Sequence, residues 1–138
     1  MNTTVARHAN LGYFNRVAAQ NTPDAIALID LSGYAPREIT HGALDQRMER
    51  VACALGGLGL KTGDRLLLGV GNRIEFIEAF FGAMRAGIVP LPLNTKFGAD
   101  TIDFVLEDSG CTAAIVEPAC NAHLAAIVEA ADLVPRIS

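Results

Sequence analysis

The run RLLLGV, residues 65–70, limits the folds open to this chain more than any other feature. Its apolar residues follow one another without alternation, so a strand made from it has no face to give to water and is covered on both sides. Strands of that kind belong to parallel sheets, where each is joined to the next by a helix packed on the sheet.

The flanking sequence supplies those helices in turn. Leu11 to Gln20 reads as a first helix closed by Asn21-Thr22-Pro23. Ala25 to Leu31 reads as a short strand, with Arg37 to Ile39 as its hairpin arm. Thr40 suits the N-cap of a helix in which Leu44, Met48, Val51, Ala52 and Leu55 recur at helical spacing before Gly56-Gly57 and Gly59 end it. The helix from Arg73 to Ala86 carries a wide apolar arc with Ile74, Phe76, Ile77, Phe80, Phe81 and Met84, which calls for burial by more than one neighbour. Glu75 and Glu78 share one face of it and read as a solvated stripe. Gly87 suits the C-cap, and the strand Ile88 to Leu93 follows at once. Pro90 and Pro92 cannot donate to a ladder, so that strand is short, irregular or at an edge. Ala99 to Ser109 is a further helix burying Ile102, Val105 and Leu106, Thr112 to Val116 a strand and Asn121 to Ala130 a last helix. The expectation is one α/β domain over residues 1–138 with three layers. In it the helices containing Leu44, Phe81 and Val105 pack on a mainly parallel sheet.

Composition excludes several functions. At 51% hydrophobic and 19% charged residues the chain is too apolar for disorder, and a net charge of −4 with scattered cations argues against nucleic acid. No segment approaches the ~18 unbroken apolar residues of a membrane span. MNTTVARHAN has no apolar signal core, which points to the cytoplasm. Cys53, Cys111 and Cys120 form no CxxC pair and read as buried or semi-buried free thiols. With His8, His41 and His123 far apart in sequence, no zinc-like spacing exists and no metal site is expected.

Two glycine-containing loops invite a nucleotide reading. GGLGLKTGD, residues 56–64, leads from a helix into a strand, whereas a phosphate loop follows a strand and opens a helix; the simpler reading is a C-cap and a turn. GVGNR, residues 69–73, has the right order but lacks the third glycine, and no acid ends the next strand. No Ser/His/Asp set can be argued from spacing.

Three collinear segments carry the reading further. ITHGALDQRMERVACALGGLGLKTGDRLLLGVGN (39–72), FIEAFFGAMRAGIVPLPLN (76–94) and FVLEDSGCTAAIV (104–116) together resemble the N-terminal part of the adenylate-forming acyl-CoA synthetases, the AMP-binding superfamily, from Leu11 to about Val116. The resemblance implies the N-terminal subdomain of that family's large domain. Intact relatives convert a carboxylic acid, ATP and coenzyme A to acyl-CoA, AMP and pyrophosphate, in fatty acid or aromatic acid metabolism. Their phosphate loop, nucleotide-binding aspartate, hinge and catalytic lysine come later, so the chain is expected to be an incomplete part of a larger enzyme and inactive alone. No cofactor is expected in the chain itself; ATP, magnesium and coenzyme A are expected for an intact parent. Its expected partners are the remainder of the synthetase and, through the arc around Phe76, Phe80 and Phe81, copies of itself. One site residue carries over: a basic residue two positions after the strand-end Asn helps hold the phosphates of coenzyme A, and the matching position is Lys96. The competing readings are a non-catalytic α/β interaction module and a flavodoxin-like ligand-binding domain.

Overall fold

The computed structural model describes residues 10–130. Its centre is β3 (Arg65–Gly69), flanked on one side by β4 (Val89–Pro92) and on the other by β5 (Ala113–Val116). Both pairings are parallel, with Leu66 opposite Pro90 on one side and Ala113 on the other. The proline strand is short and at an edge, as a strand with two missing N–H groups must be. A separate antiparallel hairpin is made by β1 (Ile26–Asp30) and β2 (Arg37–Thr40).

Alternate residues of β3 serve the two faces of the sheet. Leu66 and Leu68 meet Leu55, Ala79, Ala83 and Ala113 on the side of α2 (His41–Gly57) and α3 (Ile74–Arg85). Leu67 meets Ile102, Ala114, Leu124 and Val128 on the side of α4 (Ala99–Ser109) and α5 (Ala122–Ala130). Those two pairs of helices with the sheet between them are the three layers. The hairpin closes over α2 and α3 through Ile39, Leu44, Met48 and Ile74. Helix α2 lies close on α3 because residue 82 is glycine: a Cβ there would stand 2.6 Å from Val51 Cβ.

The junction between α3 and β4 shows how the buried strand is delivered. Gly87 takes φ +74°, its N–H bonds to Met84 O at 3.0 Å, and Ile88 N–H reaches back to Ala83 O at 3.0 Å. That pair of bonds is a Schellman motif, which satisfies the last carbonyls of the helix while turning the chain. The same turn is tied to the start of β3 by Gly63 N–H to Gly87 O (2.9 Å) and Val89 N–H to Asp64 O (2.8 Å). At the amino end of α2, Thr40 accepts from Ala43 N–H, the cap expected of it.

Several expectations need correction. Leu11 to Gln20 is not one helix but a 3-10 turn, Leu11–Tyr13, and a short α1, Arg16–Asn21. Tertiary hydrogen bonds override the helical pattern there. Asn10 donates to Met84 O and accepts from Gly12 N–H, while buried Asn15 donates to His41 O. The Glu75–Glu78 face is not a solvated stripe, for Glu78 is buried with only 7% of its surface exposed. Cys53 is exposed, while Cys111 and Cys120 are half-buried. Among the described residues no helix is long and apolar enough to cross a membrane. His8 lies outside the described residues.

Candidate functional site

Open parallel sheets bind ligands beyond the carboxyl ends of their strands. Three segments meet there: Val70–Arg73 after β3, Asn94–Lys96 after β4 and Glu117–Pro118 after β5. The first is locked by the protein's own carboxylates. Asp30, from the end of β1, accepts from Ile74 N–H at 3.1 Å and so caps α3 in place of any external anion. Glu117 accepts from Gly71 N–H at 3.2 Å.

These two acids belong to one ionic system. Arg37 binds Glu75 through both nitrogens, at 2.8 and 2.9 Å, and also donates to Asp30. Arg73 donates to Glu75 at 2.8 Å and to Glu117 at 2.6 Å. Bidentate guanidinium pairs of this kind are the stronger ones. The Arg37 hydrogen bonds hold the Glu75 carboxyl down at about 2. Hydrogen bonds from the Ser32 side chain and backbone, then from Ile74 N–H, hold Asp30 well below the usual carboxylate range. Glu117 is lowered by Gly71 N–H and then Cys120. Glu78, one turn further along α3, goes the other way: burial raises it, although Arg47 Nε lies 2.6 Å from its Oε1.

A second charged cluster sits at the far end of α3. Arg85 has no exposed side-chain surface; it donates to Gly12 O (2.7 Å), Asp45 O (3.0 Å), Glu49 (3.0 Å) and the Asp45 carboxylate (2.5 Å). Its guanidinium lies 4.7 Å from the centre of the Tyr13 ring, and that of Arg16 lies 4.9 Å from the same ring. The Arg85 donors are turned inward, so the cluster braces the amino-terminal turn against α2 and α3.

Lys96 occupies a third environment. Asn94 Oδ1 accepts from the Lys96 N–H at 2.9 Å, a side-chain-closed turn, and Asn121 Nδ2 donates to Thr95 O at 2.9 Å. The turn is therefore fixed while the Lys96 side chain is exposed beyond β4, with no ion pair to another described residue. Lys96 and the Gly69–Arg73 loop were legible in the sequence but the ionic system was not, because the bonds that tie the hairpin to α3 and the loop to Glu117 span 38 to 46 positions. A legible sign was there: Glu117 directly follows an apolar strand at the same sheet end as the loop.

At the β3–α3 junction the N–H groups of Ile74 and Gly71 are already bonded to Asp30 and Glu117, so neither is left to donate to a nucleotide phosphate. Nor, among the described residues, do three of His, Cys, Asp or Glu gather as a metal site would require.

The family described as AMP-binding enzyme matches residues 15–137. The chain belongs to the AMP-binding enzyme family. It is 34% identical to the long-chain-fatty-acid–CoA ligase FadD13 of Mycobacterium tuberculosis over 101 residues, 73% of this chain and 20% of that protein. It is 35% identical to the 4-hydroxybenzoate–CoA/benzoate–CoA ligase of Rhodopseudomonas palustris over 102 residues, 74% of this chain and 18% of that one. Among solved structures it resembles a Mycobacterium tuberculosis fatty acyl CoA synthetase with a TM-score of 0.76 at 31% identity, covering 90% of this chain and 24% of that chain. The chain thus spans about a fifth of the length of these curated relatives. This family member carries the α/β layers described above, and the collinear segments that resembled the family lie within the matched region.

The ionic system gives a pH dependence of definite sign. Glu75 titrates lower in the folded protein than its ordinary 4.5, so its contribution to stability is complete above that pH and is lost as pH falls toward about 2. Glu78 has the opposite sign, costing stability as it ionises with rising pH. Urea denaturation of the protein between pH 5 and 2 is expected to show a falling midpoint, and Glu75→Gln a shallower fall. Parallel pH profiles for the two proteins would contradict the assignment.

Proposed function

We propose that the chain is the N-terminal scaffold of an ATP-dependent acid–CoA ligase. Such an enzyme joins a carboxylic acid to coenzyme A and releases AMP and pyrophosphate. The observation that carries this reading is the family match over residues 15–137, in which relatives at 34 and 35% identity are acid–CoA ligases. One of those relatives is named for long-chain fatty acids and the other for benzoates, so the substrate class proposed is a carboxylic acid. The reading requires ATP, magnesium and coenzyme A, and hence the cytoplasm, for the complete enzyme.

The role within that enzyme is structural. Stabilising a transferring nucleotidyl group needs positioned cations and free backbone donors. The Gly71 and Ile74 N–H groups of the β3–α3 junction are bound internally, and Arg37, Arg73 and Arg85 are bound to carboxylates. Self-association of the chain by itself is part of the same proposal. Apolar side chains are exposed along the hairpin, with Ile29 at 56% and Leu31 at 74%, while Phe76, Phe80 and Phe81 are half-buried against one another. The surface for self-association is therefore assigned to the hairpin and not to the phenylalanine arc. The 138-residue chain is expected to scatter light as a dimer or larger species and to catalyse no acid-dependent ATP–pyrophosphate exchange. Exchange by this chain, or a monomer at every concentration, would overturn the corresponding half of the proposal.

Lys96 is the residue we assign to coenzyme A. A fixed turn presenting an exposed cation beyond a strand's carboxyl end suits a phosphate, although lysine offers a point charge and not the bidentate geometry of arginine. In the complete enzyme, Lys96→Ala is expected to raise the KM for coenzyme A about two- to fivefold, the effect of a single exposed charge. ATP–pyrophosphate exchange stays unchanged. An equal effect on both half-reactions, or on neither, removes Lys96 from the site.

A further inference from the structure

One side chain at the carboxyl edge of the sheet is used at both ends. Asn121 stands immediately before α5; its Oδ1 accepts from Leu124 N–H at 3.0 Å and its backbone carbonyl from Ala125 N–H at 3.1 Å. Those two bonds make it the N-cap of the helix. Its Nδ2 faces the other way and donates to Thr95 O at 2.9 Å and to Phe97 O at 3.4 Å, in the turn that follows β4. Capping alone does not account for the residue, since serine, threonine or aspartate would serve the helix as well. Of these four, only asparagine offers an acceptor and two donors in one short side chain.

These bonds join places that the sheet keeps apart. Strands β4 and β5 lie on opposite sides of β3, so Asn121 reaches across the carboxyl end of the central strand, to acceptors 24 and 26 positions away in the chain. The two carbonyls it holds belong to the residues on either side of Lys96. The Lys96 N–H is itself bonded to Asn94 Oδ1, and Phe97 N–H to Asn94 O at 3.1 Å. The Lys96 backbone is thereby held from before and behind, while its side chain is left exposed. Helix α5 is a firm anchor for it, because Leu124 and Val128 are buried on the sheet with Leu67 and Ile102.

We propose that Asn121 is the positioning residue for Lys96 in the binding of coenzyme A. Lysine reaches a phosphate through a flexible stem, so its backbone is the part that can be placed in advance. Placing it in advance removes part of the ordering cost that binding otherwise carries. The inference rests on the assignment of Lys96 to coenzyme A and adds to it a residue that acts on the ligand only through the turn.

Asn121→Ser separates the two uses of the side chain, because serine still caps α5 but has no amide to hold Thr95 and Phe97. In the 138-residue chain, nitrogen relaxation is expected to give the Lys96 amide the rigid-backbone order parameter of about 0.85. In the variant it falls below about 0.6 while Leu124 stays rigid. In the complete enzyme the variant is expected to raise the KM for coenzyme A about two- to threefold without a matching fall in kcat, as part of the effect of one exposed charge. Combined with Lys96→Ala it raises KM no further than Lys96→Ala alone, because the turn then has no charge to place. An unchanged Lys96 order parameter overturns the proposal, as does loosening of Leu124 along with Lys96, which would make the turn depend on the helix and not on the amide. An unchanged KM in Asn121→Ser when Lys96→Ala raises it, or two effects that multiply in the double variant, also overturns it and leaves the Lys96 assignment standing. No effect of Lys96→Ala on KM overturns both, and the order parameters then show separately whether Asn121 holds the turn.

Discussion

The burial of β3 on both faces is the constraint on which the rest of the structure depends. Leu66, Leu67 and Leu68 expose 1% of their surface or less, and each is worth about 1.5–3 kcal/mol of burial. Because their directions alternate, one short strand fixes two separate helical layers. Leu66 and Leu68 hold α3 and the end of α2, and Leu67 holds α4 and α5. The Gly87 turn then sets β4 in register by bonding to Gly63 and Asp64 immediately before β3 begins.

Two ionic systems finish what the apolar core begins, one at each end of α3. At the amino end, Asp30 caps the helix and Arg37 and Arg73 tie it to the hairpin and to β5. At the carboxyl end, Arg85 ties it to α2 and to the amino-terminal turn. There the Arg85 side chain is fully buried, so removing its carboxylate partners strands that charge without compensation, which costs more than the pairing contributes. Both systems spend on internal bracing the cations and backbone donors that an active site would turn toward a ligand. The scaffold role proposed for this chain follows from that use.

The layers, the edge position of β4 and the Thr40 cap were legible in the sequence, because each depends on local pattern: unbroken apolar runs, two prolines, a hydroxyl before a periodic segment. The amino-terminal helix was misread because Asn10 and Asn15 spend their side chains on Met84 and His41, partners that no local window contains. Glu78 looked solvated for a related reason. A glutamate in an apolar helix reads as the water-facing side until α2 is known to lie across it with Arg47. Lys96 could be located by motif, and the structure adds the turn that holds it, whereas the proposed coenzyme A role depends on the rest of an enzyme of which this chain spans about a fifth.

The central claim is that β3 makes both layers one cooperative unit, and a single substitution tests it. Leu67 faces only α4 and α5, yet Leu67→Ala is expected to destabilise the whole domain by about 2–5 kcal/mol. The measurement is urea unfolding followed residue by residue in nuclear magnetic resonance spectra, with Ala83 reporting on the α3 face and Leu124 on the α5 face. The account predicts that both signals are lost together, at one lowered urea concentration. Loss of the Leu124 signal at lower urea while Ala83 keeps its original midpoint would contradict it, because the two layers would then fold separately.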